Sequence, residues 1–200
     1  MANENPSLSR RERNKLDKLE RITAAAAALF AERGVDDVTT QEIADRADIG
    51  TGTLFLYAKT KGELLLLVQN SLYEAALERG TQDSAAAATT LDAVMAVVRP
   101  VVECNRTQVD NGRTYLREMV FGDAEEPHHR EALALSSRTE DLLAGILGSR
   151  ERMDAATAAA LARVLSSIMF LSMAVTVNAG LSVDAVLAEV ERQTRTILPR

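Results

Sequence analysis

The chain has 200 residues, 46% of them apolar and 4% aromatic, with no tryptophan and a formal net charge of −6. Abundant alanine and leucine with only four prolines favour an all-α fold, and the apolar share is ample for a buried core. A single cysteine, Cys104, excludes an intrachain disulfide; no unbroken apolar run of about 18 residues predicts a membrane span, and polar Met1 to Arg13 lacks an apolar signal segment, so a cytoplasmic protein is expected.

Residues 1–10 are expected to be disordered. The first predicted helix runs from Arg11 to Glu32, with Leu16, Leu19, Ile22, Ala26, Leu29 and Phe30 as its apolar face and Gly34 as its C-terminal cap. Thr39 can then cap a short helix, and Glu42 three residues later completes a capping box, with Val38 and Ile43 as a hydrophobic staple. Asp48-Ile49-Gly50 reads as a tight turn. Asp48 tolerates positive φ better than most non-glycine residues, Ile49 plugs the space between the helices, and Gly50 caps the next helix. That helix is predicted over Thr51 to Tyr57, with Leu54 and Phe55 toward the core and Thr51, Thr53 and Tyr57 outward. Two short helices joined this way form a helix-turn-helix, which places one helix in the DNA major groove.

Further helices are predicted over Glu63 to Glu78, ended by Gly80, and over Ser84 to Gln108, kinked or broken at Pro100. Asp110-Asn111-Gly112 reads as a turn before a short helix, Arg113 to Phe121. His128 to Leu147 follows, stopped by Gly148, then a long apolar helix from Asp154 to Ala179 and a last helix, Val183 to Ile197, capped by Ser182.

The stretch from residue 15 to 66 resembles the DNA-binding domain of tetracycline-repressor (TetR) family regulators. The resemblance is carried by Ile22, Ala25, Ala26, Leu29, Phe30, Glu32, Gly34, Thr39-Thr40, Ile43-Ala44, Ala47, Gly52-Thr53-Leu54, Tyr57, Lys61 and Leu64-Leu65. The chain departs from the family at Asp48, Gly50, Phe55 and Ala58, where glycine, serine, tyrosine and phenylalanine are usual. The resemblance implies an N-terminal three-helix DNA-binding domain, residues 1–62, followed by a helical ligand-binding and dimerisation domain, residues 63–200. It implies DNA contacts from Thr40, Thr51, Gly52, Thr53, Tyr57 and Lys61. It also implies a homodimer through the last two helices and a small-molecule effector held between the middle ones. The apolar and semi-polar residues of those middle helices are Tyr73, Met95, Val98, Val102, Tyr115, Met119, Phe121, Met169, Phe170 and Met173, which equally suit a plain core.

The expected function is a regulator bound to a double-stranded DNA operator, a repressor released by its effector. An activator, a ligand-independent regulator and a helical ligand-binding protein without DNA function are the alternatives. Despite the acidic total, Arg10, Arg11, Arg13, Lys15, Lys18 and Arg21 cluster at the start, opposed by Asp36, Asp37, Asp45 and Asp48. The only histidines, adjacent His128 and His129, read as a surface helix start and not as metal ligands. No nucleophile–histidine–carboxylate set and no glycine-rich phosphate loop is present, so no enzyme, cofactor or metal is expected.

Overall fold

Side-chain caps decide where most of the helices begin. The computed structural model describes residues 9–199, so residues 1–8 of the stretch expected to be disordered lie outside the described residues. Ser9 opens α1 (Arg10–Arg33) through a capping box with Glu12. Thr39 opens α2 (Thr40–Arg46) through another with Glu42. Gly50 precedes α3 (Thr51–Leu54), which stops three residues before its predicted end because the chain tightens into i→i+3 bonds, Leu56 N–H to Thr53 and Tyr57 N–H to Leu54. Ile22, Ala26, Phe30, Ile43, Ala44 and Leu54 form the core of this three-helix head, together with Leu64 and Leu65. Phe55 was expected inward but is 43% exposed; Leu54 and Ala58 occupy the buried side of that turn.

Thr60 caps α4 (Lys61–Ala86), which starts in the head and ends deep in the body. It runs through Gly80 without stopping there. A Cβ on Gly80 would lie 2.9 Å from Val97 Cα and 3.1 Å from the Ala96 carbonyl oxygen. Glycine therefore serves close helix approach here and not termination. The facing helix is α5 (Thr90–Arg106), capped by Thr89 and continuous through buried Pro100. Ala96 lies four residues before Pro100, so its carbonyl is the one left without an intrahelical N–H. That carbonyl faces the bare Gly80 backbone of α4.

Gln108 caps α6 (Val109–Phe121), so Asp110-Asn111-Gly112 is the first helical turn and not the predicted loop. Gly112 is required there, since a Cβ would fall 2.0 Å from the Asn105 carbonyl oxygen. Pro127 opens α7 (Pro127–Arg150), which passes Gly148 and ends with Arg152 at φ 55°. Asp154 caps α8 (Ala155–Ala174), which ends five residues earlier than expected, with a 3₁₀ turn at Thr176–Asn178 before α9 (Val183–Ile197), capped by Ser182. Two arginines hold the α8–α9 connection by its carbonyls. Arg106, 6% exposed, donates from Nη2 to Asn178, Ala179 and Leu181. Arg113 donates to the carbonyl of Ala174 and to the Thr176 hydroxyl. The body core lies among α4, α5, α7, α8 and α9, on residues such as Val97, Leu143, Leu147, Leu165, Met173 and Val190.

The two glycines Gly80 and Gly145 make opposite predictions. Alanine at exposed Gly145, where a Cβ meets nothing within 4 Å, should stabilise by ~0.5–1 kcal/mol through helix propensity. G80A gains the same propensity but must push backbone aside, at ~1–3 kcal/mol, and is expected to be net destabilising; urea unfolding of both variants measures the difference.

Candidate nucleic-acid interface and the junction behind it

The turn between α2 and α3 has the geometry its residues require. Asp48 takes φ 52°, and the Ile49 N–H returns to the Ala44 carbonyl at 3.0 Å. Arg21 reaches over from α1 to donate to the carbonyls of Ala47 and Asp48 at 2.9 and 3.3 Å, so the turn is fixed from behind. The carboxylate of Glu42 accepts from both the backbone and the hydroxyl of Thr39 and pairs with Arg33, which holds its pKa down at about 2.

The six residues expected to face DNA lie on this unit or just beyond it. Gly52 is exposed, and a Cβ there would meet nothing within 4 Å. Thr40 and Thr53 are half-buried. The hydroxyl of Thr51 donates to Gln41 Oε1 at 2.7 Å, stitching α3 to α2. The Tyr57 hydroxyl donates to the Lys15 carbonyl at 3.3 Å, and the ring packs against the head core. Lys61 Nζ donates to the Asp36 carbonyl at 2.9 Å. A groove beside them is lined by Arg10, Arg11, Asn14, Lys15, Lys18, Thr53, Leu56 and Tyr57. Arg21, Arg33 and Arg46 are paired with Asp17, Glu42 and Glu32, whereas Arg10, Arg11, Arg13, Lys15 and Lys18 make no ion pair among the described residues. The positive charge left over is thus concentrated at the start of α1, next to α3.

Behind this face the head is tied to the body at two places. Asn111, 4% exposed on α6, accepts from the Val35 N–H at 2.7 Å and donates to the Phe30 carbonyl at 2.8 Å. Its partners flank Gly34, whose φ of 79° turns the chain out of α1 and whose missing Cβ leaves room for Gln108 Nε2. At the second place, Lys59 pairs with Glu126, and His128 Nε2 lies 3.1 Å from the Tyr57 carbonyl, which it can only approach as a donor. His129 is 4% exposed and reaches the Met119 carbonyl. The histidines therefore do not form a surface helix start. Buried Glu63 lies among these groups, and desolvation raises its pKa. No cluster of three or more potential ligands is placed to hold a metal ion among the described residues.

Within the body a cavity of about 50 Å³ lies between α4, α5, α6, α7 and α8. Tyr73, Tyr115, Met119, Met169, Phe170 and Met173 line it, as the sequence grouping has them. The other four residues of that grouping are placed elsewhere. Val98 and Val102 are buried away from it, Met95 packs at the core margin, and Phe121 is 82% exposed at the end of α6. Sequence reasoning missed the α7 wall, Ala132, Leu135, Ser136 and Thr139. Its signal was one face at helical spacing, small and hydroxyl-bearing in place of bulky. Tyr73 and Tyr115 stack at 4.4 Å. Their hydroxyls engage Asn105 and Asn70, and burial raises both phenol pKa values. The wall is thus uncharged. Burial likewise pushes the Cys104 thiol up to about 11, which keeps it protonated and unreactive.

The outer face of α8 and α9 is open and apolar. Val164 and Leu171 are 46% and 59% exposed, in a broad groove that also holds Ile168, Leu181 and Ala185 and carries Arg163, Glu189 and Gln193 among its polar residues. By length and composition alone α8 is the one described helix apolar enough to cross a membrane.

Residues 22–68 match the family described as bacterial regulatory proteins, tetR family. The head is similar to the N-terminal domain of TetR-family regulators. The rest of the chain has the fold of TetR-family regulators as well. A TetR-family transcriptional repressor, FadR of Thermus thermophilus, solved with lauroyl-CoA, superposes with a TM-score of 0.70 at 25% identity, covering 91% of this chain and 96% of that one. A TetR regulator from Rhodococcus sp. RHA1 gives 0.69 at 17% identity over 92% and 97%. SCO4454 of Streptomyces coelicolor gives 0.62 at 21% identity over 91% and 96%. No curated protein sequence matches the chain.

Two changes test this TetR-type head and its attachment. N111A leaves the buried Val35 N–H without a partner, at a cost of ~1–3 kcal/mol, and should accelerate hydrogen exchange of that amide more than of amides in α2. For Glu42 the folded pKa lies below its ordinary value of 4.5, at about 2. Its stabilisation is therefore fully present above pH 4.5 and lost as pH falls toward 2. Thermal melts of the parent and E42Q should differ most near neutral pH and converge near pH 2.

Proposed function

We propose that the protein is a dimeric transcriptional repressor that leaves its operator when a small apolar molecule enters the body. The observation that carries this reading is the head's outer face: cations of α1 with no ion pair among the described residues flank an open Gly52–Thr53 surface at the start of α3. In this reading residues 1–62 act as the head and 63–200 as the effector and dimer domain. Thr53 and the bare Gly52 backbone approach base edges, and Tyr57 and Thr40 meet phosphates. Thr51 and Lys61 exchange their bonds to Gln41 and Asp36 for bonds to DNA. Regulators of this family act in the cytoplasm.

The open α8–α9 face supports pairing with a second copy as a four-helix bundle. Two heads can then address half-sites ~34–36 Å apart. The cavity supports an uncharged or amphipathic effector, because no ionisable group except the two neutral tyrosines lines it. The lauroyl-CoA held by the Thermus relative supports an acyl chain as that apolar part. At about 50 Å³ the cavity is well below the ~300–1,000 Å³ of a ligand site. Entry must therefore displace the methionines and helices around it. A ligand that binds the displaced form more tightly shifts the population away from the DNA-competent one.

The test is selection of random duplex DNA by the full-length protein, followed by gel shift at low salt and sedimentation. A palindromic operator bound by a dimer is expected, and lauroyl-CoA or a fatty acid is expected to release it. L171E, placed on the open face, should give a folded monomer whose operator binding is at least ~100-fold weaker. Failure to enrich any sequence would sink the DNA-binding reading and leave a helical ligand-binding protein.

A further inference from the structure

Leu56 is 82% exposed, far more than any other large apolar residue described in the head, where Leu16 and Phe55 reach 45% and 43%. It follows α3 directly, and its N–H is tied to the Thr53 carbonyl at 3.1 Å, so its backbone is fixed beside Thr53. Leu54 and Ala58 take the buried positions of that turn, which leaves Leu56 on the side facing away from the core. No apolar side chain among the described residues covers it. Its groove is shared with Thr53, Tyr57, Arg10, Arg11, Lys15 and Lys18, and Tyr57 is held by its hydroxyl bond to the Lys15 carbonyl.

An uncovered leucine among four cations suits a particular surface: a polyanion that also presents an apolar group. In the major groove of DNA that group is the C5-methyl of thymine. We infer that Leu56 is a specificity-determining residue that reads a thymine methyl in each half-site, while the cations beside it hold the flanking phosphates. This rests on the DNA-binding reading above and adds to it a base and an atom. The backbone at Leu56 is held by its bond to Thr53, so the contact needs no refolding of that turn. The phosphate contacts supply affinity to any duplex, and the leucine–methyl contact separates thymine from cytosine at that step.

The experiment uses the full-length protein and the operator it selects from random duplex DNA. Each thymine is replaced in turn by deoxyuridine, which removes only the methyl. At one thymine per half-site the parent should lose roughly fourfold in affinity for each methyl removed, the value for one buried methyl group. L56A should bind the thymine and uracil operators equally, while its binding to unrelated duplex DNA and the salt dependence of that binding stay at the parent level. An operator in which no thymine methyl matters to the parent overturns the inference, as does an L56A protein that retains the same methyl sensitivity; a lipid or protein partner for Leu56 would give the first of these results. Failure to select any operator would instead remove the DNA-binding reading itself, and the two failures are told apart by that first step.

Discussion

One buried asparagine sets how the two halves of this molecule are joined. Asn111 offers a donor and an acceptor to the backbone on either side of Gly34, where α1 ends and no helical partner exists for the Val35 N–H. Leaving that amide unpaired in the interior would cost a sizeable fraction of a typical domain's stability. The head therefore has one preferred seat on α6. The same helix holds the end of α8 through Arg113 and walls the cavity with Tyr115. These three residues span one helical turn, roughly 6 Å of axis. The cavity wall, the hold on α8 and the seat of the head thus share one short segment of a single helix.

The body depends on a second close approach. Gly80 and Pro100 look like helix breakers when taken singly, yet each sits inside a long helix. The two meet across the α4–α5 contact. The proline frees the Ala96 carbonyl, and the glycine lets α4 come near enough to face it. Two elements that each carry a local penalty therefore pack more closely than either would with ordinary residues. α4 can in consequence run unbroken from the head to the far end of the body.

The head was legible because its signals are local. Thr39 with Glu42, Asp48 in the turn and Gly34 past α1 each act within a few residues of where they stand. Periodicity likewise separates Ile43 and Leu54 from the outer face. Phe55 was misread because the tightened last turn of α3 rotates it toward solvent, an effect that needs the i→i+3 bonds to be seen. The body was less legible because its decisive contacts are between helices. Asn111-Gly112 has turn chemistry in sequence, but its asparagine is claimed by α1 and its glycine by the Asn105 carbonyl. His128 was unreadable for the same reason, its partner Tyr57 being 71 residues away. The cavity was half legible: aromatic and methionine residues announce a core, whereas small α7 side chains become a wall only once the helices are stacked.

The smallness of that cavity has a thermodynamic side. An effector of the kind proposed, lodged among Met119, Met169 and Met173, would first have to open a space that the protein keeps closed at about 50 Å³. The work of opening is subtracted from its intrinsic affinity, just as for any ligand whose competent state is rarely populated. Under the proposed reading, operator and effector would weaken one another by the same factor, because linkage is reciprocal. The concentration at which such a regulator responds is thus set as much by how tightly three thioethers pack in the empty protein as by the contacts its ligand makes.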